Sequence, residues 1–162
     1  MAKTQKERAF LRDLYINEEW TRRFTEMVDK HVGFKDAKNL LYINAGTGNH
    51  AFELNEKKAK KTAIFAVSDD KHLLTISKDK AAAMRSDVDF SMIRFDDEAF
   101  DIVLADASFV KTLDIEKFIG EAVRVARSDG KVAFFLPSAG SFGEIFSLLW
   151  EAVQRRTRAE GS

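Results

Sequence analysis

Two glycines two positions apart, Gly46 and Gly48, stand in the run Asn44-Ala45-Gly46-Thr47-Gly48-Asn49. A backbone without Cβ can turn sharply and lie close against a ligand. The residues that follow read as a helix, whose first N–H groups have no intrahelical partner, so a ligand carboxylate or phosphate could rest there. The plainer reading is that the glycines only let a strand turn into a helix. No Lys-Ser or Lys-Thr follows, which excludes the triphosphate-binding loop. Further on come Ser68-Asp69-Asp70. An acid about 20 residues after such a turn can accept hydrogen bonds from both vicinal hydroxyls of a ribose, although Ser68 or Asp70 could equally cap a helix. A third acid, Asp106, closes the apolar run Phe100-Asp101-Ile102-Val103-Leu104-Ala105-Asp106. His31, His50 and His72 are dispersed and suggest no metal grouping, Asp96-Asp97-Glu98 reads as a solvated turn, and Ser138, Ser141 and Ser147 lack nucleophile-elbow spacing.

The elements that would position these residues follow from the apolar patterning. The first 33 residues read as helix, broken once, with Asn17 as an N-cap and Trp20, Phe24, Met27, Val28 and Val32 recurring at three and four residues. Strands are expected at 39–44, 62–67, 88–93, 100–106 and 131–136. Helices are expected from Asn49 to about Lys61, from Ser68-Asp69-Asp70 to about Arg85, from Asp114 to Ala126, and from Phe142 to Arg158. Ser128-Asp129-Gly130 breaks the third of these, and Pro137 stops the fifth strand. Strands alternating with helices indicate an open, mostly parallel α/β sheet. Ligands of such sheets bind beyond the carboxyl ends of the strands, and that is where the glycines and acids fall.

Composition narrows the class. The chain has 162 residues with 26 basic and 26 acidic side chains, which suits one compact domain and argues against a nucleic-acid binder relying on a basic surface. There is no cysteine, so disulfides, thiolate catalysis and cysteine-ligated metals are excluded and a reducing, cytoplasmic setting is expected. The longest apolar stretch, near Val132 to Pro137, is too short to span a bilayer, and the amino-terminal MAKTQKERAF leads into no signal-peptide core.

Taken in order, these pieces resemble class I S-adenosylmethionine-dependent methyltransferases. Leu40-Leu41-Tyr42-Ile43-Asn44-Ala45-Gly46-Thr47-Gly48 is similar to their first motif, and Ala66-Val67-Ser68-Asp69-Asp70-Lys71-His72-Leu73-Leu74 to their second. Phe100 to Asp106 is similar to their fourth strand, and Glu121 to Val132 to the helix, turn and fifth strand. The resemblance covers roughly residues 38–150. It implies a three-layer α-β-α sandwich with about five strands in the order 3-2-1-4-5, without the family's terminal strands 6 and 7. Residues 1–36 would form a helical cap on a Rossmann-like domain at 37–160, one compact unit overall. It further implies S-adenosylmethionine as cofactor, held by Asn44, Ala45, Gly46, Thr47 and Gly48, by Ser68 and Asp69 at the ribose, by Met92 and Ile93 beside adenine, and by Asp106 near the methionine end.

The departures are specific. Tyr42 stands where the family usually has an acid, Asn44 where it has its first glycine, and Ser68 where the simplest alignment puts the ribose acid, with Asp69 one position late. The connection after the third strand is clipped. The expected activity is methyl transfer to a small-molecule acceptor, without nucleic acid or membrane insertion. The alternatives are an inactive methyltransferase-fold interaction protein, or a fragment that dimerises through an exposed sheet edge or the terminal helix. A nicotinamide-dependent oxidoreductase fits the fourth and fifth strands less well.

Overall fold

The computed structural model describes residues 4–11, 13–15, 22–34, 36–68, 70–91 and 95–136. Its elements in chain order are α1 (Gln5–Leu11), α2 (Arg22–His31), β1 (Asn39–Ile43), α3 (Asn49–Lys57), β2 (Ala63–Val67), α4 (Lys71–Met84), β3 (Asp89–Ser91), β4 (Phe100–Asp106), α5 (Ile115–Val125) and β5 (Ala126–Phe135). The five strands form one sheet in the order β3-β2-β1-β4-β5, every pairing parallel. The expected architecture and strand order are therefore observed. The expected helix from Phe142 to Arg158 lies outside the described residues, as do Asn17 and Trp20.

Alternation along the strands builds two cores. Leu40 and Tyr42 of β1, Ile64 and Ala66 of β2, and Ile102 and Leu104 of β4 face α2, α3 and α4, meeting Val28, Phe52 and Leu74. Leu41 and Val103 face the other way, toward Ala122 and Val125 of α5. Leu40, Leu41, Ile64 and Leu104 are almost wholly buried. Each contributes about 1.5–3 kcal/mol by leaving water, which makes β1 and β4 the rigid centre of the sheet. Among the described residues no helix is long and apolar enough to cross a membrane.

Local chemistry sets most of the ends. Thr4 and Glu7 form a reciprocal capping box at the start of α1, the Thr4 N–H donating to Oε2 of Glu7 at 2.7 Å and the Glu7 N–H to Oγ1 of Thr4 at 3.2 Å. Asp70 caps α4, accepting the N–H groups of His72 and Leu73. At the far end of α4, Arg85 adopts left-handed backbone and its N–H returns to the carbonyls of Ala81 and Ala82. α3 stops at Lys57, four residues before the expected end. β3 is described over Asp89–Ser91, and Met92 and Ile93 lie outside the described residues.

The largest correction concerns the fifth strand. It begins at Ala126, directly from α5, and Ser128-Asp129-Gly130 lies inside it rather than breaking helix from strand. The register accounts for this. β4 advances from Phe100 to Ile102 while β5 advances from Ala126 to Lys131, so the extra β5 residues bulge out of the ladder. A Cβ on Gly130 would lie 3.0 Å from the Arg127 carbonyl oxygen and 3.1 Å from those of Phe100 and Asp101, which favours glycine at this point. On the same side of the sheet the short link from β3 to β4 shows no helix over 95–99. Phe95 packs there edge-on against Phe65 and Phe100, with ring centroids at 5.7 and 4.9 Å.

Candidate functional site

The carboxyl ends of β2, β1 and β4 lie side by side, since Ile43 pairs with Val67 on one flank and Ala105 on the other. The chain leaves β1 through three left-handed residues, Asn44 (φ 59°), Gly46 (φ 61°) and Gly48 (φ 87°). Asparagine is among the few residues with a Cβ that enter this region readily, so the turn forms although its first position is not glycine. Asn44 also reaches sideways, its Nδ2 donating to the carbonyl of Asp106 at 3.0 Å. The Ala45 N–H donates to the carbonyl of Val67 at 3.3 Å. Ser77 of α4 donates its hydroxyl to the carbonyl of Gly46 at 3.1 Å. Gly48 is required twice over, by its positive φ and by contact, because a Cβ there would come within 2.6 Å of the Phe90 ring.

Thr47 is fully buried. Its hydroxyl donates to the carboxylate of Asp13, and the Lys80 ammonium of α4 pairs with the same carboxylate oxygen. Lys80 also donates to Oδ1 of Asn49 at 2.9 Å. Neither Asp13 nor Lys80 carries a signal in the sequence, since 67 residues separate them and no local spacing links them.

The second loop is organised differently. Ser68 is buried, and its hydroxyl accepts the N–H of Asp70 at 3.2 Å, while the Asp70 carboxylate caps α4. Asp69 lies outside the described residues. At the end of β4, Oδ1 of Asp106 accepts the Ser108 N–H at 2.8 Å. Asn44, Ala45, Gly46, Thr47, Gly48, Ser68 and Asp106 thus lie along one edge of the sheet.

Tyr42 is buried and shares a hydrogen bond with Nδ1 of His50 at 3.1 Å, the rings edge-on at 5.3 Å. The Tyr42 ring also lies near Phe135 of β5, with centroids 6.4 Å apart. Burial pushes the Tyr42 hydroxyl well above the ordinary tyrosine range, and the negative charges of Asp106 and Glu53 add to this. Burial pushes His50 down to about 4, against the opposing pull of Asp29. Both rings are therefore neutral at pH 7, and Nε2 of His50 is buried without a hydrogen-bond partner. In the sequence His50 is only one of three scattered histidines.

The family model for the methyltransferase domain matches residues 41–134, from within β1 to within β5, and the chain belongs to that family. No curated protein matches. Among solved structures, the chain is similar to a candidate S-adenosyl-L-methionine-dependent methyltransferase from Methanococcus maripaludis, with 17% identity and a TM-score of 0.71 over 96% of this chain and 80% of that one. It is also similar to a SAM-dependent methyltransferase from Aquifex aeolicus, with 20% identity and a TM-score of 0.65 over 82% and 72%. A third is the [4+2]-cyclase SpnF, with 23% identity and a TM-score of 0.59 over 68% of this chain. The chain spans 43% of that cyclase's length. At these identities the likeness is one of fold: a class I Rossmann-like methyltransferase fold.

Proposed function

We propose that the chain binds S-adenosylmethionine along the carboxyl edge of β1, β2 and β4 and transfers its methyl group to a small-molecule acceptor. The observation that carries this is the left-handed turn from Asn44 to Gly48 at the end of the central strand, beside Asp106. The donor set suits the methionine half of such a ligand. The first N–H groups of α3 favour a carboxylate, and the Asp106 carboxylate favours an ammonium or sulfonium. Asp69 is the candidate for the ribose hydroxyls, with Met92 and Ile93 beside adenine. When bound, the cofactor supplies a methyl group made electrophilic by its positive sulfur. The chain's own part is to hold the ligand on a rigid strand end and to align an acceptor against it, the usual source of rate in this chemistry.

A second reading is favoured by one observation. Ser68 and Asp70, the polar residues described after β2, are bonded to each other and to the start of α4. A methyltransferase fold without a ribose carboxylate would serve as a non-catalytic interaction module. Titration calorimetry with S-adenosylmethionine separates the two. Saturable binding, abolished by Gly46→Arg and strongly weakened by Asp69→Ala in folded protein, is the expected result. No heat and no thermal shift at millimolar cofactor would leave the interaction module standing.

A further inference from the structure

The glycine turn is tied to a segment that the sheet does not need. α1 lies against α4, and beyond it residues 13–15 form a short helical turn that brings Asp13 onto Thr47 and Lys80. Apolar burial does not hold this segment down. Ala9 is the one buried residue of α1, whereas Phe10, Leu14 and Tyr15 are 57%, 49% and 72% exposed. The polar link is better sheltered, with the Asp13 and Lys80 side chains 17% and 28% exposed. A charge-assisted contact shielded in this way is screened less by salt than a surface pair and is the stronger for it. α1 has only 7 residues, and a helix so short is unstable in water without an attachment.

We infer that residues 5–11 and 13–15 belong to a strap latched over the glycine turn by Asp13, and that release of this latch sets how fast a ligand enters and leaves the turn. The inference rests on the proposed cofactor site and adds a gate to it. The carboxylate grips the loop hydroxyl of Thr47 and the ammonium of α4 at once, so one side chain ties the amino-terminal segment to both walls of the turn. Opening breaks both of these contacts while the sheet stays as it is.

Hydrogen exchange on the full chain, read by mass spectrometry, tests the latch before any ligand is added. Asp13→Asn and Lys80→Met should each raise the exchange of α1 amides roughly tenfold while the β1 and β4 amides keep their protection. The charge swap, Asp13→Lys with Lys80→Asp, should restore most of the α1 protection. Unchanged α1 exchange in both single variants, or a rise spread equally over the sheet, overturns the strap. Stopped-flow binding of S-adenosylmethionine tests the gate. Association and dissociation should accelerate together in the single variants, with Kd within about twofold of the parent, as a gate acting on entry and exit alike requires. Parent protein that binds with the same rates as the variants overturns the gate while leaving the cofactor site intact. Absence of binding in all three proteins overturns the cofactor site, and the gate with it.

Discussion

The two loops at the carboxyl edge of the sheet, after β1 and after β2, look alike as sequence and differ as structure. Both join a strand to a helix with small polar residues. In the first, backbone conformation does the work: Asn44, Gly46 and Gly48 turn left-handed, and the loop is held from outside by Asp106, Val67, Ser77 and Asp13. In the second, the Ser68 and Asp70 side chains satisfy their own neighbourhood, Ser68 bonding Asp70 and Asp70 capping α4. The contrast teaches that an acid near the right spacing is not by itself a free ligand group. A run of positive φ is harder to explain by local needs alone.

Three perturbations sharpen this contrast. Gly48→Val should have the largest effect, because it adds strain at φ 87° to a contact of 2.6 Å with Phe90. A loss of about 3 kcal/mol or more in urea unfolding is expected, against which an exposed substitution such as Leu113→Ala in the β4–α5 connection serves as control. Retained stability would mean that the turn relaxes freely.

Acid should single out the first loop through His50, in the opening turn of α3. Its folded value of about 4 lies below the ordinary 6.5, so between those values the unfolded chain binds the extra proton. Stability should therefore be at its plateau above pH 6.5 and fall as pH drops toward 4. The loss is on the order of 3 kcal/mol across that window. His50→Gln should flatten the slope, and an unchanged slope would assign it to other groups. Asp101 titrates lower. Its carboxylate accepts the N–H groups of Asn39 and Lys38, is held below the usual carboxylate range chiefly by the first of these, and would take effect only at more acid pH.

The smallest effects compare the loops residue for residue. Asn44→Ala should cost about 2 kcal/mol, since it keeps the left-handed strain and loses the bond to Asp106, whereas Asn44→Gly relieves the strain and should come out near zero. Asp70→Ala should cost about 1 kcal/mol, the worth of a helix cap, and leave the first loop unchanged. Equal losses for Asn44→Ala and Asn44→Gly would show that the asparagine serves only through its hydrogen bond.

Much of this was legible in the residues. Strand alternation predicted β1, β2 and β4 to within a residue at each end, because apolar side chains on both faces of a buried strand leave few other choices. The glycine turn and the cap of α4 were legible for the same reason: each depends on neighbours a few positions away. The core of the fifth strand was legible too, but its early start at Ala126 was not. A serine-aspartate-glycine run reads as a break, and only pairing with β4 absorbs it as a bulge.

The sequence alone determined the order of elements, the alternation that sorts side chains between two cores, and the turn at Gly46 and Gly48. These rest on periodicity and backbone stereochemistry, which act over a few residues. Only the tertiary structure decided that Asp101 would anchor the start of β1, that Tyr42 would pair with His50, and that Asp13 would meet Thr47 and Lys80. Such contacts depend on where distant segments come to lie in space, and no local spacing of residues encodes that.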